Sequence, residues 1–387
     1  MDTVYFDHAA TTPVDERVLE AMTPYFTEHY GNANSPHQSG NNAKVAVEEA
    51  RETIAEIIGA APAEIIFTSG GTESDNTAIK GAVNATGKSD IITSPLEHHA
   101  VLHTAEAVKR NGVRPRYIEA DSDGIIKPEQ VKEAINADTA LVSLMHVNNE
   151  IGTINPIKEI GEICTEYKVP FHSDTVQSVG KIPVDVDELG IDFLSISGHK
   201  IYGPKGIGVL YMRHGTPWLP WMHGGSQERR RRGGTLNVPG IIGLAKAMEL
   251  VVDQMDDHRK KFEKLRSRLV NGLEEKFGDR CQINGDSEQR VPHIINISFI
   301  DPAGEGLDGE MLLLNLDVEG ICVSNGSACT SGAMEPSHVL DGIGLDEKTA
   351  NSSIRISLGK DNTAEEIDYF LDKIEVVVNR MMSTAEA

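Results

Sequence analysis

Lys200 stands in the stretch SISGHKIYGPKGIG, residues 195–208, between an apolar strand-like run at 191–196 and a turn rich in glycine and proline. A lysine at a strand end can aim its amine into a cleft, where desolvation or a neighbouring cation lowers its pKa and makes it a nucleophile toward a carbonyl. Taken alone, the same residues also describe a surface turn with a solvated lysine. The neighbours of Lys200 separate the two readings. Glu97-His98-His99, Asn148-Asn149-Glu150, Asp174-Thr175-Val176-Gln177 and Ser197-Gly198-His199-Lys200 each follow a short apolar run. One shared pocket explains that recurrence better than a series of unrelated caps and turns.

A second signal lies upstream. The run Glu64-Ile65-Ile66-Phe67-Thr68 reads as a buried strand that empties into Ser69-Gly70-Gly71-Thr72, after which 75–83 is helix-like. Strand, small-residue turn and helix start present free N–H groups and a helix dipole to an anion, with Thr72 as N-cap or hydroxyl contact. A Gly-Gly turn by itself mostly punctuates structure. Beside Lys200 it acquires a purpose: Thr72, Ser197 and His199 can hold a phosphate, Asp174 can keep a pyridine nitrogen protonated, and His98 can lie over an aromatic ring. These are the parts of a pyridoxal 5'-phosphate site. Two further groups stand apart in the chain. Cys329 sits among glycines and small hydroxyl residues in VSNGSACTSG, 323–332, which suits an accessible thiol as well as a structural one. Arg355 lies in the strand-like run SIRIS and needs a carboxylate partner, the protein's own or a substrate's.

The elements that must position these groups alternate. Apolar runs at 90–93, 116–118, 140–146, 169–174, 192–197 and 208–212 are interleaved with helical patterns, which implies a mainly parallel sheet covered on both faces. In such sheets ligands bind beyond the carboxyl ends of the strands. A long helical pattern over 239–277, broken at Asp256-Asp257-His258, leads to a second unit with strands at 294–299 and 354–358. Thr363 and Glu366 form a capping box for its last helix. At 387 residues two domains are expected, and 39% hydrophobic with 25% charged residues is ordinary for a soluble chain. No apolar run spans a bilayer, so no membrane partner is expected. MDTVYFDHAATT carries no signal-peptide pattern, and a cytoplasmic setting is expected. The net charge of −23 excludes nucleic-acid binding through the whole surface. The run Arg229 to Arg232 is the exception, and contact with tRNA there stays open. The four cysteines contain no C-x-x-C pair, so neither a disulfide framework nor a metal site is expected.

Nine motifs in order carry a resemblance over nearly the whole length: DHAATTPVDERV, TSGGTESDN, EHHAVL, MHVNNEIG, HSDTVQ, SGHKIYGPKGIG, RRGGTLN, GSACTSG and SIRISLG. The chain resembles the cysteine desulfurases of the NifS/IscS type, among the fold-type I pyridoxal phosphate enzymes. The resemblance implies an α/β fold: a large domain, 14–255, with a seven-stranded sheet flanked by helices, and a smaller α+β domain made of 1–13 and 256–387. It implies that Lys200 tethers the cofactor as a Schiff base, His98 stacks on its ring, Asp174 pairs with the ring nitrogen and Gln177 with the ring oxygen. Gly71, Thr72, Ser197 and His199 would hold the phosphate, joined by Thr235 from the other subunit of a homodimer. Asn149 and Arg355 would grip the carboxylate of L-cysteine, and Cys329 would accept its sulfur as a persulfide. The persulfide would pass to acceptors for iron–sulfur cluster assembly or tRNA thiolation, among them a scaffold protein to which Cys329 could bridge a cluster. Gly71 departs from the alanine frequent in the family, a change expected to leave phosphate binding intact. Within the same fold a selenocysteine lyase, a class V aminotransferase and a non-catalytic sulfur carrier are the alternatives. Cys329 speaks against the aminotransferase, and the set Lys200, Asp174 and His98 against the carrier.

Overall fold

The strands in chain order are β1 (Val4–Tyr5), β2 (Ile65–Thr68), β3 (Asp90–Thr93), β4 (Arg114–Tyr117), β5 (Thr139–Ser143), β6 (Phe171–Asp174), β7 (Phe193–Ser197), β8 (Gly208–Met212), β9 (Cys281–Asn284), β10 (Ile294–Phe299), β11 (Ile321–Cys322) and β12 (Ser353–Ser357). They come from a computed structural model that describes residues 3–285, 288–300, 306–325 and 337–385. β2 to β8 form one seven-stranded sheet in the order β2-β8-β7-β6-β5-β3-β4. Its middle is parallel, from β4 through β3, β5 and β6 to β7. β8 runs antiparallel to both β7 and β2, so the sheet is mixed at one side. The turn that carries Lys200 joins β7 to β8 directly, and a short connection without a crossover helix returns the chain antiparallel.

Every residue of β2, β3, β5, β6, β7 and β8 is buried. Helices therefore cover both faces, as continuous apolar runs demand. β4, with Arg114, Pro115 and Arg116, is a largely exposed edge, where proline and charge discourage further pairing. One apolar cluster fills the side of the sheet under helices Gln38–Ile57 and Val238–Asp253, and another lies under helix Gly71–Thr86.

A separate apolar cluster joins Phe6 to Phe262, Leu265, Leu269 and Leu273 of helix Met255–Phe277 and to Ile367, Phe370 and Ile374 of helix Ala364–Ala385. It packs on the antiparallel sheet β12-β10-β9. The long helical pattern breaks at Gln254, slightly ahead of the acidic pair, because Asp256 and Asp257 are favourable in the first turn of the new helix rather than at a break. The capping box forms as expected: Thr363 N donates to Glu366 Oε2 at 3.0 Å and Glu366 N to Thr363 Oγ1 at 3.3 Å.

The N-terminal segment ties the two halves together. β1 pairs in parallel with β11, Asp7 bridges to Ser357, and Thr12 N then donates to the His199 carbonyl at 2.9 Å. The segment thus crosses from β12 to the turn that carries Lys200. Among the described residues no helix is long and apolar enough to cross a membrane.

Candidate active site

The carboxyl ends of β6 and β7, the turn after β2 and the N-terminal segment enclose a cavity of about 340 Å³. Asp174 is the last residue of β6 and Ser197 of β7, and Lys200 ends the single 3-10 turn Gly198–Lys200 that follows. Lys200 Nζ donates to the carbonyls of Ala9 at 2.5 Å and Ala10 at 2.9 Å. Burial, helped by the charge of Arg355, pulls its pKa down to about 8, against the opposing pull of Asp174 and Asp7. The amine is therefore within reach of its neutral, nucleophilic form near neutral pH.

Asp174 is buried, and burial together with Asp75 pushes it up to about 7. Gln177 Nε2 donates to the Ala9 carbonyl at 2.9 Å. His98 caps helix His99–Val108, its Nδ1 accepting from Ala100 N at 3.1 Å, which leaves the proton on Nε2. The protein crowded around the cavity, together with Lys200, pulls His98 down to about 4, so it is neutral. Arg355 on β12 donates to Asp7 Oδ1 and to the Asn149 carbonyl, both at 2.9 Å. Its carboxylate partner is thus the chain's own Asp7, and the same guanidinium lines the cavity.

Below the cavity the turn Ser69-Gly70-Gly71 enters helix Gly71–Thr86. The N-cap is Gly70 at φ 150°, which corrects the expectation that Thr72 caps this helix: Thr72 is its second residue. A glycine is needed there because no side chain tolerates that φ, and the bare backbone leaves the first N–H groups open. Thr72, Ser197 and His199 border a second opening at the same helix end. His199 is fixed by a contact of 3.1 Å between its Nδ1 and Thr11 Oγ1. A Cβ on Gly71 would lie 2.9 Å from Val176 Cγ2, so an alanine here requires Val176 to shift by a few tenths of an ångström. In this chain Gly71 is the better fit to its surroundings.

Every predicted site residue within the described ones lines the cavity except Thr235, which is exposed and outside it. Cys329 lies outside the described residues. The other cysteines are not poised as nucleophiles: burial pushes Cys164 far up and Cys281 up to about 12, and raises Cys322 too.

Residues 4–370 match the family described as aminotransferase class-V. The chain is 49% identical over 381 residues to the cysteine desulfurase IscS of Dictyoglomus turgidum, covering 98% of this chain and 95% of that one. It is 47% identical over 381 residues to the cysteine desulfurase IscS of Methanosarcina thermophila, covering 98% and 92%. The chain belongs to the NifS/IscS-type cysteine desulfurases, within the aminotransferase class-V family. Among solved structures a NifS-like protein superposes with a TM-score of 0.90 at 43% identity, covering 98% of this chain and 100% of that one. One described as SspA in complex with cysteine gives a TM-score of 0.81 at 38% identity, covering 92% and 99%. The NifS/IscS-type enzymes depend on pyridoxal phosphate.

The donor set suits that cofactor. An open helix N-terminus with flanking hydroxyls accepts a phosphate, and a lysine of lowered pKa stands across from it. One carboxylate oxygen each of Asp75 and Asp174 and one nitrogen of His98 lie within 4.8 Å of one another. Two carboxylates buried side by side fit a protonated ring nitrogen.

Asp75 escaped the sequence reading because its position within a helix gave no hint that it turns inward. It is buried, Oδ1 has no hydrogen-bond partner of normal geometry among the described residues, and His172 Nε2 is 3.5 Å away. His172 is itself buried between Ser143 Oγ at 2.8 Å and Ser195 Oγ at 3.1 Å, and burial pulls it down to about 4. It therefore offers Asp75 no positive charge at neutral pH, and burial raises Asp75 to about 7. Between the ordinary carboxylate value near 4 and pH 7 the folded protein keeps protons on Asp75 and Asp174 that the unfolded chain has released. Their contribution to stability is complete below about pH 4 and is lost as pH rises through about 7. Cofactor-free protein with Asp75→Asn should lose less stability between pH 5 and pH 8 than the unsubstituted protein. Denaturant midpoints at the two pH values check this, and identical pH slopes would show that Asp75 holds no such proton.

Proposed function

We propose that this enzyme converts L-cysteine to L-alanine, with sulfur passing to Cys329 as a persulfide and then to an acceptor. The observation that carries the reading is the convergence of Lys200, Asp174, His98 and the helix end at Gly71 on one cavity. Bound pyridoxal phosphate supplies a carbonyl that condenses with the substrate amine and a ring that takes up the electron pair left when the α proton departs.

The chain's own residues do the rest. Arg355 and Asn149 hold the substrate carboxylate, which fixes the α carbon relative to Lys200. Lys200 Nζ, once neutral, takes the α proton and carries it across the site. Asp174 would keep a positive charge on the ring nitrogen, with Asp75 beside it as a second acidic group. His98 would stack on the ring and Gln177 would pair with the ring oxygen, while Thr72, Ser197 and His199 would hold the phosphate. The Cys329 thiolate attacks the substrate sulfur: an S–S bond forms, the C–S bond breaks, its electron pair stays on carbon, and protonation of that carbon yields alanine.

We divide the chain at 14–255 and at 1–13 with 256–387, a division supported by the separate cluster that holds Phe6 with helices Met255–Phe277 and Ala364–Ala385. A homodimer in which Thr235 reaches the partner's phosphate accounts for a predicted site residue that is exposed in its own subunit. A cytoplasmic setting and an acceptor in iron–sulfur assembly or tRNA thiolation complete the proposal. Purified holoenzyme given cysteine and a reductant should form alanine and sulfide in equal amounts, and Cys329→Ala should suppress both by at least about a hundredfold. Unchanged cysteine turnover in Cys329→Ala would overturn the persulfide step. Sedimentation should give about twice the chain mass of 42.0 kDa, and a monomer that retains its cofactor would rule out the shared phosphate site.

A further inference from the structure

Three histidines beside the cavity, two of which line it, take no part in the chemistry above. We propose that His99, His103 and His338 form a binding site for a divalent metal ion of the zinc class. His99 and His103 lie one turn apart on helix His99–Val108, so both project from the same face, as in helical metal-binding histidine pairs. Their rings stack with centroids 4.9 Å apart. His338, which begins the helix His338–Gly342, brings a third ring to 4.7 Å from His99.

In His338 and His99 a ring nitrogen is suitably free. His338 Nε2 meets the Glu97 carbonyl at 2.9 Å, which makes Nε2 the donor and leaves the lone pair on Nδ1. That hydrogen bond also fixes the ring, as the outer partners of metal-ligating histidines do. His99 Nδ1 is buried with no hydrogen-bond partner among the described residues. Burial lowers the pKa of both His99 and His338, so neither competes for a proton at neutral pH. The rings meet pairwise through His99 and do not yet converge on one point. His103 is exposed, and turning its side chain toward the other two completes the set. Neutral imidazoles suit zinc-class ions, and three of them leave a fourth position for water or a thiolate. His99 and His338 both line the cavity, so an ion held here narrows the route to Lys200.

The test uses holoenzyme carrying Cys329→Ser, which removes that thiol as a competing ligand and leaves Asp75, His98 and Asp174 occupied with the cofactor. Zinc is titrated by calorimetry, and cobalt by its visible absorption bands as an independent report of nitrogen ligation. One ion per chain is expected, with affinity at least about tenfold weaker after His103→Ala and after His338→Gln. In the enzyme with native Cys329, His103→Ala should leave cysteine turnover without added metal unchanged, because His103 does not line the cavity. Absence of binding, or equal affinity in the parent and His103→Ala, would overturn the proposal.

Discussion

Lys200→Ala should abolish alanine formation from cysteine, with turnover falling by at least about a thousandfold. The purified variant should also lack the visible absorption of the lysine-tethered cofactor. The size of the effect follows from two duties that meet on one nitrogen. In the proposed mechanism the amine joins the cofactor covalently and later accepts the α proton. Both require a neutral amine, and burial makes that accessible by holding Lys200 near 8. The side chain contributes less to the fold. Its bonds to Ala9 and Ala10 end on carbonyls beside an open cavity, where water can replace the amine. Alanine formation within tenfold of the parent, in protein that binds cofactor, would remove Lys200 from its role. Lys200→Arg separates charge from chemistry: it keeps a cation near Asp174 but cannot deprotonate, and it should be as inactive as the alanine variant.

Glu228→Ala should destabilise the protein by about 3–5 kcal/mol, read from denaturant midpoints, because it strands a buried arginine. Arg51 and Glu228 are both buried, and Arg51 Nη1 and Nη2 reach Glu228 at 2.9 and 2.7 Å. Glu228 Oε2 also accepts from Phe67 N at 2.8 Å, and the Arg51 guanidinium lies 4.6 Å from the centre of the Phe67 ring. β2 leads directly into the turn at Ser69–Gly71, so this pair anchors the strand that enters the proposed phosphate site. Glu228, Arg229 and Arg230 all take positive φ, at 43°, 56° and 65°. Non-glycine residues adopt that region at a cost, and the Glu228 ion pair holds them there. Replacing both partners with apolar residues, Arg51→Met with Glu228→Leu, should recover much of the loss. A single variant as stable as the parent would show that the pair contributes no net stability.

The same region shows why the four arginines could not be read from their sequence. Arg229 and Arg230 are exposed, Arg231 donates to the Ala63 carbonyl at 2.7 Å, and Arg232 forks onto Glu73 at 2.7 and 3.0 Å. Glu73 also accepts from Ser69 N at 2.7 Å. Although burial pushes Glu73 up, Arg232 holds its carboxyl below the usual range. A run that looks uniform is divided between solvent and the back of the turn at Ser69–Gly71. That division depends on partners about 160 residues earlier in the chain.

The sequence by itself determined the elements and the polar groups at their ends. Apolar runs, small-residue turns and capping residues act over a few neighbours, so β3, β8 and β10 fall where their patterns place them. Asp174, Ser197 and Lys200 follow from the same local signals, because a strand end is a local feature. Only the tertiary structure decided the contacts that tune them. β8 turns antiparallel, Ala9 and Ala10 come to the Lys200 amine across 191 and 190 residues of chain, and Asp7 meets Arg355 across 348. Asp75 joins Asp174 below the cavity in the same way. Burial and charge at Lys200 and Asp174 are sums over everything that the fold brings near, and no local window of sequence contains those neighbours.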